Sequence, residues 1–259
     1  MFSSFSQSAM FRHDPNVLEK LIKGIISKSR LGLVPDAPLE GPPNSCKTFV
    51  VAVSTQGAGA GPVRMRTYGT ETADPFKARI WEAARATSAA ATFFPEITIN
   101  DERYGDGATG WNNPAAEALA EAHSIWPGRV IGTLVSIGTG LEAAIQLDAG
   151  NEGSEGFMHS MLQYISPSTA NEVNIARYCV LSLLSCEKVH RQLSESEKVK
   201  PDVNYFRFNV QQGLYRIGLD EYDKLGAIVS LTTEYLTHGA EVARKKNVAR
   251  LLWQPQLAS

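Results

Sequence analysis

Three cysteines in 259 residues are too few for a disulfide framework, and Cys46, Cys179 and Cys186 form no C-x-x-C pair. Their odd number points to a reducing compartment. Cys179 and Cys186 share one apolar segment and read as core residues. No apolar run approaches the ~18 residues that a membrane-spanning helix needs. The opening residues, Met1-Phe2-Ser3-Ser4-Phe5-Ser6, lack the basic and apolar regions of a secretory leader. Charge of one sign is missing too: 25 basic residues stand against 27 acidic ones, for a formal −2. Without a dominant Lys/Arg face, a nucleic-acid partner is not expected. The densest basic stretch, Arg244-Lys245-Lys246 with Arg250, reads as the polar side of a terminal helix. Asp148, Glu152 and Glu155 lack regular metal-ligand spacing, so no metal site is expected there. There is no internal repeat.

What is present is apolar: 43% of residues are hydrophobic, enough for one large core or two small ones. Residues 1–13 are rich in Ser and Phe and read as poorly ordered. Asp14-Pro15 has the form of a helix start. Leu18, Leu21, Ile22, Ile25 and Ile26 then make one helical stripe. Gly32 to Asn44 is a Pro/Gly-rich break, and Lys47 to Val53 is a buried-strand run. Gln56 to Gly61 reads as a flexible turn. Asp74-Pro75 is expected to open a second helix running through Ala86, and Asn113-Pro114 a third to about His123. Val130 to Ile137 is the strongest strand candidate. From Pro167 to about Leu193 the pattern is mainly helical; Tyr205 to Val210 is strand-like, and two helices follow near 219–237 and 238–252. Strands alternating with helices predict an α/β fold with a parallel sheet. The four tryptophans, Trp81, Trp111, Trp126 and Trp253, read as core residues.

Chemistry concentrates at Tyr104-Gly105-Asp106-Gly107-Ala108, a carboxylate between two glycines. Glycine admits unusual backbone angles and lets another chain come close. On its own, an Asp-Gly dipeptide is an ordinary turn signal. Its neighbours change the reading. Ala84-Arg85-Ala86-Thr87-Ser88-Ala89-Ala90-Ala91-Thr92-Phe93-Phe94-Pro95 lies upstream. Asn112-Asn113-Pro114 and Val135-Ser136-Ile137-Gly138-Thr139-Gly140 lie downstream. Further on come Tyr205-Phe206-Arg207-Phe208-Asn209-Val210, Gly213-Leu214 and Ile217-Gly218-Leu219-Asp220-Glu221.

In this order and spacing the segments resemble the patatin-like phospholipase family, particularly its fungal members, from about residue 15 to 252. The resemblance implies a three-layer α/β fold, a sheet flanked by helices, and hydrolysis of lipid or phospholipid acyl esters by a serine–aspartate pair. Asp106 would be the aspartate, in the family's Asp-Gly-Ala element with Gly107 and Ala108 after Gly105. It would orient the serine hydroxyl and accept its proton. A free carboxylate, with a pKa of about 3.9, is a weak base, so partial burial and a short fixed contact must assist. Phe93 and Phe94 are candidates to line an acyl pocket. No metal or organic cofactor is implied. None of His13, His123, His159, His190 and His238 sits in the setting of a catalytic base.

One departure matters. The family's glycine-rich oxyanion element and G-x-S-x-G nucleophile elbow do not occur in these residues. Ser54, Ser88 and Ser136 lack flanking glycines at the required offsets. The expectation is therefore a patatin-like α/β domain over 14–218, incomplete at its N-terminal side, with a helical extension over 219–259. Such a chain should be inactive alone, prone to aggregate or in need of a partner, and cytoplasmic or peripheral to membranes. Regulatory or repeat domains in the full gene are the partners the resemblance implies. Two alternatives stand beside it. The chain could be a non-enzymatic remnant that binds a partner or lipid. Gly138-Thr139-Gly140-Leu141-Glu142-Ala143 also fits a dinucleotide-binding turn after a strand.

Overall fold

The computed structural model describes residues 13–56, 61–90, 93–140, 186–195, 203–211, 213–214, 217 and 221–253. Their contacts group into two units, one holding the described residues up to Asn112 and the other those from Asn113 onward. The class is α/β, with sheet flanked by helices and a helical C-terminal end.

In the first unit, Asp14 caps helix α1 (Pro15–Lys28) by accepting the N–H of Asn16 at 2.8 Å. Ile22 and Ile26 face inward onto Trp81, with Ala37 and Leu33 beside them. Strands β1 (Phe49–Ser54), β2 (Pro62–Arg66), β3 (Ile97–Ile99) and β4 (Glu102–Asp106) form one sheet in the order β2-β1-β4-β3. Helix α2 (Ile80–Thr87) packs on it through Ala83 and Ala86, whose small side chains let the helix approach Ala52, Met65 and Tyr104.

This sheet differs from the expectation of parallel strands. All three of its pairings are antiparallel. The links from β1 to β2 and from β3 to β4 are too short for the crossover that a parallel pair requires. The β3–β4 link is Asn100-Asp101, with φ of 50° and 65°, a left-handed pair that suits a two-residue hairpin. Helix α2 also begins later than Asp74-Pro75 suggests. Phe76 donates to Arg66, Leu39 to Ala78 and Ile80 to Ala37, so the backbone before Ile80 is committed to sheet-like pairing. Glu82 then caps the helix by accepting the N–H of Arg79 at 2.7 Å.

In the second unit, β5 (Thr133–Ile137) and β6 (Asn204–Phe208) pair in parallel. Here the expected direction holds. Helix α3 (Ala108–Trp111) closes the first unit, and α4 (Ala115–Ile125) opens the second, its first N–H donating to Asn113 Oδ1 at 3.3 Å. A helical stretch over 186–195, α5, precedes β6. After the single turn Tyr222–Lys224 come α6 (Leu225–Thr237) and α7 (Gly239–Trp253), joined through Gly239 at φ +60°. Lys245, Lys246 and Arg250 are exposed on α7, as a polar helix side should be. Among the described residues no helix is long and apolar enough to cross a membrane.

Not every tryptophan is a core residue. Trp81 is buried and donates from Nε1 to Asp36 at 2.9 Å, whereas Trp126 and Trp253 are exposed. Cys186 is buried and Cys46 exposed. The expectations for residues 1–12, for the turn over 57–60, and for Cys179, His159, the acidic group at 148–155 and the helical run from Pro167 to 185 lie outside the described residues.

Candidate active site

Asp106 is the last residue of β4, at the point where the strand turns into α3. Its backbone partner across the sheet is Ala52, which is fully buried. One carboxylate oxygen, Oδ1, accepts the N–H of Ala108 at 2.8 Å, which ties the side chain to the first turn of the following helix. The N–H of Asp106 itself donates to Ala89 O at 3.2 Å. Asp106 as a whole is half-buried.

Gly107 is required here for closeness rather than for backbone angle. Its φ of −64° is open to any residue. A Cβ at this position would lie 2.4 Å from Val51 O and 2.9 Å from Val51 Cγ1, so β1 itself excludes a side chain. Gly105 is under less pressure, since a Cβ there would meet Thr55 Cγ2 at 3.4 Å, an ordinary contact. The left-handed freedom read from the sequence is used at neither position.

The segment after α2 is drawn against this turn. Thr87 Oγ1 donates to Val51 O at 2.7 Å, the same carbonyl that presses on Gly107. Ala89 accepts from Asp106, and Ala90 O accepts the N–H groups of Phe93 and Phe94. Phe93 is buried with its ring stacked on His13, and Phe94 lies over the Arg85 guanidinium at 5.5 Å. Arg85 is only 4% exposed and donates from Nη2 to Pro95 O at 2.8 Å. Burial pulls its guanidinium below the ordinary value, and Glu19 offsets this in part. Asp106, Gly105, Gly107 and Ala108 thus form one turn. Phe93 and Phe94 belong to the loop that turn leans on.

Thr87, Val51 and Arg85 did not stand out in the sequence as positioning groups. Nothing in a Thr or Arg on a helix shows which carbonyl it will meet. The β3–β4 hairpin did not stand out either, because its strands span only three and five residues. Beside it Tyr104 donates its hydroxyl to Glu102 at 2.7 Å. Burial, and then that carboxylate, raise the Tyr104 phenol, and the same bond lowers Glu102.

In the second unit, a buried polar cluster lies along β5 and β6. Ser136 donates to Asn113 Oδ1 at 3.0 Å and accepts from Arg207 Nη1 at 2.8 Å. Asn209 Oδ1 accepts the N–H of Gly140 at 2.7 Å, and Gly138 donates to Phe208 O at 2.8 Å. The Gly138 and Gly140 amides, which a dinucleotide turn would offer to a pyrophosphate, donate within the protein instead. Ser136, bonded on both sides, serves this lattice.

Residues 12–119, which contain the whole Asp106 turn and its supporting loop, match the family model described as patatin-like phospholipase. The chain is 30% identical to Phospholipase A I of Arabidopsis thaliana over 186 residues, covering 70% of this chain and 12% of the plant protein. It is 27% identical to mouse calcium-independent phospholipase A2-gamma over 253 residues, covering 93% of this chain and 29% of that one. The human protein of the same name is 29% identical over 180 residues.

The chain belongs to the patatin-like phospholipase family. The family model ends within α4, while the match to the mouse protein runs on over nearly the whole chain. Patatin-like segments in both units therefore have counterparts in a curated relative. The chain itself spans less than a third of the length of these relatives.

Proposed function

We propose that this chain serves a lipid acyl hydrolase in which Asp106 and a serine form the catalytic pair, acting on phospholipid acyl esters. The observation that carries this reading is the fixed carboxylate at the β4–α3 turn. Asp106 is held by Ala108, Ala89 and the tight Val51–Gly107 approach, and it lies inside the segment that matches the family. The names of the relatives, phospholipases from a plant and from mammals, support the substrate class. One of those names specifies independence of calcium, in keeping with chemistry that needs only a hydroxyl and a carboxylate.

The serine hydroxyl attacks the ester carbonyl while its proton passes to the Asp106 carboxylate. The tetrahedral adduct expels the alcohol, which takes that proton, and leaves an acyl-serine. Water then attacks the acyl group with the same carboxylate as base, releasing the fatty acid and restoring the serine. Phe93 and Phe94 are assigned to the acyl pocket, with the half-buried Phe94 offering the accessible apolar surface and Phe93 packing its ring on His13. Oxyanion donors would have to lie close to the serine, and each is worth about 10²–10³ in rate.

No G-x-S-x-G occurs in the 259 residues, so by themselves they hold the carboxylate half of the pair. A fluorophosphonate probe should leave this chain unlabelled, and a short nitrophenyl ester should not be hydrolysed by it. In a longer chain that presents a G-x-S-x-G serine ahead of these residues, both should be observed. Asp106→Asn should there abolish turnover. Serine-dependent hydrolysis by the 259 residues alone, or full turnover by the Asp106→Asn variant of the longer chain, overturns the proposal.

A further inference from the structure

The outward side of α1 is apolar and basic, with the exposed carboxylate of Asp14 at its N-cap. Val17, Leu21 and Ile25 recur at every fourth position, which keeps them on one side of the helix. With Leu31 and Val34 in the loop that follows, they are 56–78% exposed. Helical spacing puts Lys20 and Lys28 on the same side, and Arg30 stands exposed at its end. The one carboxylate of the helix, Glu19, faces the opposite way and pairs with Lys23 at 2.8 Å. Lys23 in turn reaches Asp36 at 3.2 Å and lies 4.3 Å from the Trp81 ring centroid. The helix is thereby anchored through its inner side, and the outer side is rigidly presented.

We propose that this side of α1, with the loop to Val34, docks the protein on a lipid surface carrying anionic headgroups. Exposed branched residues supply the part that enters the acyl boundary, and lysines beside them meet the headgroups. A second copy fits the same face less well, because self-pairing sets Lys20, Lys28 and Arg30 against like charges with only the capping Asp14 carboxylate of each copy to receive them. The docking belongs to the lipid reading above, yet it uses none of the residues around Asp106.

Sedimentation of the full chain with vesicles tests it. Phosphatidylcholine vesicles containing phosphatidylserine should carry the protein down, and salt should weaken this. Lys20→Gln with Lys28→Gln should reduce that binding roughly 25-fold, taking about fivefold for each lysine near a charged surface. Leu21→Glu with Ile25→Glu should reduce it about tenfold or more. Leu31→Glu with Val34→Glu, placed in the loop, should act likewise even if the helix variant fails to fold. Asp106→Asn should bind as the parent does, which separates failure of docking from failure of the serine–aspartate reading. Absence of vesicle binding, or wild-type binding by the charge and apolar variants, overturns the proposal. So does light scattering that shows a dimer dissolved by Leu21→Glu with Ile25→Glu.

Discussion

The carbonyl oxygen of Val51 receives the hydroxyl of Thr87 at 2.7 Å and stands 2.4 Å from where a Cβ of Gly107 would be. One peptide of β1 thus anchors the end of α2 and excludes any side chain beside Asp106. Gly107→Ala should push β1 and the Asp106 turn apart, destabilising the first unit by about 1–3 kcal/mol, as overpacking does. Gly105→Ala, with a nearest contact of 3.4 Å, should be far milder. Urea melts of the two variants give the comparison, and equal midpoints would count against it.

Thr87→Val keeps the shape of the side chain but leaves Val51 O without that donor. The expected loss is about 1–3 kcal/mol, the usual range when a buried partner goes missing. Hydrogen exchange at the Asp106 amide should quicken in the same variant, since that amide is bonded to the adjoining Ala89. An unchanged rate would show that the two ties act separately.

The β3–β4 hairpin gives a gain rather than a loss. Asp101 holds φ +65°, a conformation that glycine adopts without strain. Asp101→Gly should leave stability unchanged or raise it, and Asp101→Val should lower it by about 1–2 kcal/mol. Thermal denaturation decides, and a stable Val variant would speak against the left-handed turn.

His190 sets a pH response in the second unit. It lies within 3.3 Å of the Tyr205 hydroxyl and of Ser194, and burial is the main cause that lowers its pKa. Glu187 works against that shift, and Arg207 and Arg244 add to it. A lowered folded pKa means that the unfolded chain binds the proton first. Stability is therefore complete above the ordinary histidine value of about 6.5 and falls as pH drops through the folded value. His190→Gln should flatten this part of the stability profile. Proton NMR of the imidazole should show a midpoint below the ordinary value.

Asn209 holds the Gly138–Gly140 turn by accepting from Gly140 N, and its own N–H donates to the Tyr235 hydroxyl at 3.3 Å. Asn209→Ala should destabilise the second unit by about 1–3 kcal/mol through the amide left unpaired. Asn209→Asp, which keeps the acceptor, should cost less. Equal losses would assign the effect to packing alone.

Local chemistry in the sequence determined a good deal by itself. Asp14-Pro15 set the start of α1, Asn113-Pro114 that of α4, and apolar periodicity marked β1, β5, β6 and the C-terminal helices. The order of short segments around Asp106 pointed to the family, which residues 12–119 bear out. These features rest on neighbours within a few positions, where caps, prolines and alternation act directly. Strand direction did not have that character. Whether β1 runs antiparallel to β2 and β4 depends on which segments pair with it, and β4 lies almost fifty residues away in the chain. The sequence likewise could not tell that Gly107 serves close approach rather than a left-handed angle, or that Thr87 and Ala89 would lock the Asp106 turn. Those relationships join residues far apart in the chain, so only the packed structure could bring them together.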